Sequence, residues 1–521
     1  MNARLLAALA LALSGGAALA LPALWWEPLH LDEAITIEYA ERPYASIVRD
    51  VFVERGGAPL HFFVEHVTLA APGGLEGLRL PSLVFFLVSL VLAGRLAREL
   101  AGEQAGLLVP LLLAVAPLGL SLATFARMYS LFVAAVLGTT LLALRAARTG
   151  KRRDWILAGA AAGSLVYVHP IAPLYSALAV GTGLVVAGRR PRTLLHEAWP
   201  GAAVAFTVAA PYAYALAVLR SRYDVGPESG RLRTTAGRSV PEEALHALTP
   251  GGAAGAIVLL ALALLGLGWL TRRRPRAAAA LALWLAVPVV FFALVPADTR
   301  FFGRYVIPAE PAFYVLVAAG CLALAGRRRA VAAALTAGVV ALSVSERIDR
   351  LSGMRDLGLR DLVSAIDGDD ALFSSTGTPV SDRPPELLDD YVELERPVAV
   401  RVEELPGIDL RFEPDLEERG GANVAVFVAA GEGGRGLWVF RGPERRVTRA
   451  IRRLEDEREL AAERASATLL LVRSRAPAPP RVLIAQGVRA RTAWTLDSPA
   501  DRWTTLLLEI ARRGSQRGAS P

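Results

Sequence analysis

Two adjacent acids, Asp32 and Glu33, stand in the segment His30-Leu31-Asp32-Glu33-Ala34. A carboxylate placed there can accept the proton of an attacking hydroxyl as a general base. The same pair also suits a helix start, where Asp32 would accept backbone N–H groups and Glu33 would meet the positive end of the helix dipole. The two uses are compatible. Arg127, in Ala126-Arg127-Met128-Tyr129-Ser130, is the side chain best fitted to fork onto a phosphate, although an arginine at a helix end can equally extend toward water. Arg300 and Arg304 lie among aromatics in Thr299-Arg300-Phe301-Phe302-Gly303-Arg304-Tyr305 and offer the same chemistry. His30, His61, His66, His169 and His246 follow no common metal-ligand spacing, so ordinary polar or packing roles are the simpler expectation. His169 is set apart by its position in the short turn Tyr167-Val168-His169-Pro170. No nucleophile elbow and no glycine-rich phosphate loop is present; Gly431–Gly436 reads as a turn between strands.

The elements that must position these residues are membrane helices. Of 521 residues 54% are hydrophobic and only 20% charged, above the apolar share of an ordinary soluble domain. Apolar stretches recur up to about residue 344, and most are long enough to cross a hydrocarbon layer of ~30 Å. We read about eleven spans, near 5–25, 80–98, 105–122, 129–145, 154–168, 171–187, 199–219, 252–270, 277–296, 305–325 and 329–344. The first is longer than a cleaved leader and reads as a retained helix. Cys321 is the single cysteine, so the chain supplies neither a disulfide nor a cysteine metal site.

The net charge of +8 is explained by where the arginines fall. Lys151, Arg152 and Arg153; Arg189, Arg190 and Arg192; Arg272, Arg273, Arg274 and Arg276; and Arg327, Arg328 and Arg329 all fall on one side of the threaded spans. The positive-inside rule makes that side cytoplasmic, with a cytoplasmic N-terminus in an inner (plasma) membrane, and removes the need for a nucleic-acid partner. Asp32, Arg127, His169, Arg300 and Arg304 then share the opposite side.

The outer loop at 26–79 is patterned. Tyr44, Ile47, Val48, Val51 and Phe52 repeat at helical spacing, and after Pro59 a second helix places Leu60, Phe63, Val64 and Val67 on one face and His61 and Glu65 on another. Two helices lying at the interface would wall a cavity. From about residue 346 acids and arginines become frequent, and β-like runs Val424–Ala429, Leu437–Phe440, Thr468–Val472 and Val482–Ala485 alternate with helical stretches such as Arg446–Arg464. The expected organisation is mainly α: a transmembrane helical bundle over 1–345, a small extracytoplasmic α/β domain over 346–513, and a disordered tail at 514–521.

In this setting the sequence resembles the GT-C superfamily of membrane glycosyltransferases, in the bacterial branch of protein O-mannosyltransferases and the aminoarabinose transferase acting on lipid A. The resemblance is carried by Asp32-Glu33, Ala58-Pro59-Leu60-His61-Phe62-Phe63, Leu78-Arg79-Leu80-Pro81-Ser82, Ala126-Arg127-Met128-Tyr129-Ser130 and Gly303-Arg304-Tyr305-Val306-Ile307-Pro308-Ala309. Relatives commonly carry Gln-Glu where this chain has Thr124-Phe125, and a second proline at Ala58. The resemblance implies a polyprenyl-phosphate-linked sugar donor and a protein, lipid or glycan acceptor outside the cytoplasm. It further implies Asp32 as the base of an inverting displacement, helped by Glu33, with Arg127, Arg300 and Arg304 on the donor phosphate. His30, His61, Tyr129, His169 and Tyr305 would line the substrate cavity. No cofactor is implied, since arginine can neutralise a monophosphate leaving group, though two acids can also hold Mg²⁺ or Mn²⁺.

Two other classes fit a polytopic chain. A transporter or lipid flippase commonly shows related halves and charges near the membrane midplane, whereas here no repeat is evident and the charges gather at span ends. A non-catalytic envelope assembly protein would use the C-terminal domain for docking and leave Asp32 sealed from any cavity.

Overall fold

The computed structural model describes residues 3–26, 31–70, 74–188, 191–222, 239–294, 303–325, 329–355, 371–375, 423–431, 434–442, 468–474, 482–484, 488–498 and 503–512. It forms two units: Met1–Trp25 with Ile35–Leu351, and Trp26–Ala34 with Ser352–Pro521.

The described elements of the first unit are all helical, as an apolar chain without water must be to satisfy its backbone. Helix α1 (Ala3–Trp26) leads to α2 (Leu31–Ala40), α3 (Tyr44–Ile47), a π-helical turn Val48–Val53 and α4 (Leu60–Leu69). Then follow α5 (Gly74–Ala101), α6 (Glu103–Leu113), α7 (Pro117–Leu122), α8 (Tyr129–Thr149) and α9 (Arg152–Ser164) with a 3-10 turn, Leu165–Tyr167. The remainder are α10 (Ala172–Ala187), α11 (Pro191–Arg222), α12 (Val240–Leu248), α13 (Gly252–Arg273), α14 (Pro275–Leu294), the 3-10 segment Gly303–Ala309, α15 (Glu310–Ala325) and α16 (Arg329–Arg355).

Over the described residues the expected spans fall mainly on helix. Among the described residues seven are long and apolar enough to cross a membrane, on α1, α5, α8, α11, α13, α14 and Gly303–Ala325, while α6 and α10 are shorter apolar helices. The expected span at 105–122 is two helices instead. The chain leaves α6 at Ala114, and Ala116 is extended before Pro117 opens α7. Proline fits there because a first-turn residue has no intrahelical partner for its N–H.

Glycine lets several helix pairs approach to backbone contact, which is how membrane helices gain packing without a hydrophobic driving force. A methyl group on Gly266 of α13 would strike the Leu316 carbonyl of α15, and one on Gly320 would strike that of Leu262. Gly159 and Gly201 join α9 to α11 in the same way. Every residue of α15 from Glu310 to Cys321 is buried. By contrast Phe206 of α11 is 83% exposed, as a lipid-facing side chain would be.

One end of the bundle is knitted by the basic residues. Arg148 pairs with Glu99 at 3.1 Å, Arg145 with Asp154 at 3.2 Å, and Arg274 donates to the Glu99 carbonyl at 3.1 Å. The Arg276 guanidinium lies against Gly188, the left-handed residue that ends α10. The starts of α8 and α10 lie at the opposite end from these residues, and α8, with 21 residues, separates the two ends by about 30 Å.

In the second unit the described residues beyond Arg355 are strands: β1 (Ala371–Ser375), β2 (Asn423–Gly431), β3 (Gly434–Gly442), β4 (Thr468–Ser474), β5 (Val482–Ile484), β6 (Val488–Ser498) and β7 (Trp503–Arg512). One sheet has the order β1-β4-β7-β6 and another β3-β2-β5. Antiparallel β2 and β3 pair Gly431 with Gly434, so the glycine-rich stretch joins two strands. The expected helix at Arg446–Arg464 and the tail at 514–521 lie outside the described residues.

Candidate active site

At the end of the bundle away from the basic residues, the loop between α7 and α8 carries Arg127, and side chains from distant elements hold its backbone. Ser82 of α5 donates to the Phe125 carbonyl at 2.6 Å and lies 3.4 Å from that of Arg127. His61 of α4 donates through Nε2 to the Ala126 carbonyl at 3.1 Å. Below them Ser130 donates to the Leu122 carbonyl at 3.0 Å, and the buried Glu310 carboxyl group accepts the Gly119 N–H through Oε1 at 3.1 Å. Three consecutive carbonyls are therefore held by two side chains, which sets where the Arg127 guanidinium can go. That guanidinium donates to Thr36 Oγ1 of α2 at 3.3 Å. Thr36 stands four residues after Asp32 in the sequence.

The first turn of α8 adds Tyr129, whose ring stacks on Phe125 at 6.1 Å. Arg304, from the 3-10 segment before α15, places its guanidinium 5.5 Å from the Tyr129 ring centre, within cation–π range. His169 enters from the turn before α10. Its ring stacks on Phe132 at 4.9 Å and lies 5.7 Å from Tyr129 and 6.3 Å from Tyr305. Tyr305 also stacks on Phe292, and its carbonyl accepts the Tyr175 hydroxyl at 2.9 Å. The segment Gly303–Ala309 is thereby fixed against α10 and α14.

Two guanidinium charges act on the histidines at this end. Burial, reinforced by the Arg127 charge, lowers His61 from 6.5 to about 3, outweighing the opposing effect of its bond to Ala126. Burial also lowers His169 to about 3, with Arg127 and Arg304 adding to the effect. Both rings are neutral at physiological pH. His61 Nδ1 is 3.6 Å from Glu65 Oε1, and with a neutral ring this is no ion pair.

The structure brings Arg127, Tyr129, His61, His169, Arg304 and Tyr305 into one neighbourhood. Glu33 is in the first turn of α2 and fully buried. His30 and Arg300 lie outside the described residues, as does the side chain of Asp32. Among the described residues no group of three or more His, Cys, Asp or Glu side chains could hold a metal ion.

The polar face of α4 is the one turned into the protein. His61 and Glu65 are buried, whereas Val67 of the apolar face is 61% exposed. At a membrane boundary the apolar face can turn to lipid and the polar face to the protein interior. Thr36 and the bonding roles of Ser82 and Arg79 were not apparent from residue type. Arg79 donates to the Ala23 and Leu24 carbonyls at 3.3 and 3.4 Å. It satisfies the C-terminal end of α1. Polar side chains within or beside an apolar stretch are the one signal that would have found them.

The fold and this cluster define an integral-membrane protein with a cationic, aromatic-lined group of side chains at one end of a helical bundle. Residues 58–214 match the family described as dolichyl-phosphate-mannose-protein mannosyltransferase. The matched stretch, under a third of the chain, includes the segments Ala58–Phe63, Leu78–Ser82 and Ala126–Ser130 that carry the resemblance. No curated protein matches the chain significantly. Among solved structures, ArnT from Cupriavidus metallidurans bound to undecaprenyl phosphate aligns with 14% identity and a TM-score of 0.47, covering 96% of this chain and 97% of that one. The archaeal oligosaccharyltransferase AglB from Archaeoglobus fulgidus aligns with 12% identity and a TM-score of 0.46, covering 75% and 64%.

Proposed function

We propose that this protein transfers a sugar from a polyprenyl-phosphate-linked donor to an acceptor hydroxyl on the extracytoplasmic side of an inner (plasma) membrane. The observation that carries the reading is the gathering of Arg127 and Arg304 about the aromatic ring of Tyr129 and the neutral ring of His169 at one end of the bundle. The family match over 58–214 supports it, since that family is named for a polyprenyl-phosphate sugar donor.

In this reading Arg127 and Arg304, with Arg300, stabilise charge growing on the departing phosphate. A preorganised cation in a water-poor site suits that role because it need not reorient as the charge develops. Asp32 takes the acceptor proton as the acceptor attacks the anomeric carbon from the face opposite the phosphate, giving inversion, and Glu33 positions Asp32 or the acceptor. The basic end of the bundle is cytoplasmic and the Arg127 end faces outward, following the positive-inside rule. The acceptor is a protein, a lipid or an envelope glycan.

The test is transfer by the purified full-length protein from a panel of polyprenyl-phosphate sugars, beside Asp32→Asn. The variant should lose about 10²–10⁴-fold in rate, the usual contribution of a general base. Equal rates for the two proteins would remove Asp32 from this role, and flipping of the lipid without group transfer would replace the enzyme reading with transport.

A further inference from the structure

The ring of His169 is locked in one orientation. Nδ1 accepts the backbone N–H of Ile171 at 3.2 Å, which in a neutral imidazole places the hydrogen on Nε2. Stacking on Phe132, with ring planes 16° apart, opposes rotation. The residue is 4% exposed, and its buried Nε2 meets no acceptor among the described residues. A buried N–H left unmet is unfavourable, and a fold that fixes the ring so tightly retains that cost at one defined point.

The neighbours indicate what would meet it. Among the described residues, the charged and titratable groups acting on or stacked near the ring include Arg127, Arg304, Tyr129 and Tyr305, two guanidiniums and two phenols. An acceptor oxygen bearing negative charge would gain both from the N–H and from the two cations. Resting on the donor-phosphate reading above, we infer that His169 is the third member of an anion site with Arg127 and Arg304, its Nε2–H donating to an oxygen of a phosphate monoester or diester. The ring adds a directed hydrogen bond without adding a third positive charge. It therefore orients the phosphate while leaving the site able to release an anionic product. The two guanidiniums and burial oppose a second proton on the ring, so the donor stays the same through the physiological range.

The experiment measures binding by the full-length protein to undecaprenyl phosphate, undecaprenol and inorganic phosphate, with native mass spectrometry for the lipids and competition for the ion. His169→Ala should weaken undecaprenyl phosphate about tenfold or more, the value of a hydrogen bond to a charged group, and leave undecaprenol unchanged. His169→Gln, whose amide nitrogen can occupy the Nε2 position, should recover most of the loss. Loss against the lipid phosphate alone assigns the site to a lipid headgroup, and loss against inorganic phosphate as well assigns it to phosphate in general. Equal weakening of undecaprenol, or a glutamine variant no better than alanine, overturns the inference. Because binding needs no sugar transfer, an inactive protein with His169-dependent phosphate binding would defeat the transferase reading and leave this one standing.

Discussion

His61 and Arg127 are 66 positions apart in sequence, yet the His61 ring donates to the carbonyl of the residue just before Arg127, at 3.1 Å. The bond joins two motif segments that have no other evident reason to occur together. Removing it takes a hydrogen bond from a buried carbonyl, at about 1 kcal/mol, and loosens the loop that aims the guanidinium. His61→Ala should therefore raise the KM for the donor by about tenfold or more and lower the unfolding temperature. His61→Gln should restore both in part. A variant that lowers the unfolding temperature while leaving donor KM unchanged would mean that His61 supports the fold only.

The two arginines should respond differently to lysine. Arg127→Ala and Arg304→Ala should each cost about 10²–10³-fold in kcat, as loss of an electrostatic donor does. Arg304→Lys keeps the cation over Tyr129 and should retain part of the rate, whereas Arg127→Lys gives up the fork that reaches Thr36. Steady-state rates with a fixed donor check the order; Arg127→Lys equal to wild type would show that the fork is not used.

Acid should destabilise the protein earlier than its carboxylates require. His61 and His169 fold as neutral rings with values near 3 against an ordinary 6.5. Between those values the unfolded chain binds a proton at each ring and the folded chain does not. The stabilisation is complete above pH 6.5 and declines as the pH falls toward 3, by up to about 1.4 kcal/mol per pH unit for each ring. Unfolding followed from about pH 7.5 to about pH 5 should show this slope. It should flatten in His61→Gln and His169→Gln, and an unchanged slope in both would contradict neutral burial.

Gly266 and Gly320 set the spacing of α13 and α15, so either glycine replaced by leucine must push the helices apart. We expect a loss of at least about 1–3 kcal/mol, the usual range for an overfilled core. The loss should appear as a lower unfolding temperature and reduced accumulation in the membrane. Leucine at Gly268, where a side chain meets nothing, should leave both unchanged and serves as the control.

Helical periodicity and hydropathy located the membrane helices, because a buried backbone permits few alternatives to a helix. They ran α6 and α7 together, since composition does not change across Ala114–Ala116; only Pro117 marks the restart. On α4 they separated a polar from an apolar face without saying which is buried, because the rule that apolar residues face inward assumes that water is outside. Arg127, Arg304, Tyr129 and His169 stood out as polar or aromatic groups at span ends. Their meeting depends on pairings such as His61 with Ala126 and Tyr175 with Tyr305, which no local pattern encodes.

The central position of α15 has a consequence for biogenesis. A ribosome delivers the helices in order, so α1 to α14 reach the bilayer before the helix whose residues Glu310 to Cys321 are all buried. Until then Gly119 lacks the carboxyl group that caps it from 191 residues further along, and α13 presents Gly266 to lipid. Insertion and packing are thus separate events, and the second waits for nearly the last membrane helix to be made. A nascent chain arrested before Gly303 would be threaded yet unpacked, and so in greatest need of the insertion machinery and most exposed to membrane proteases.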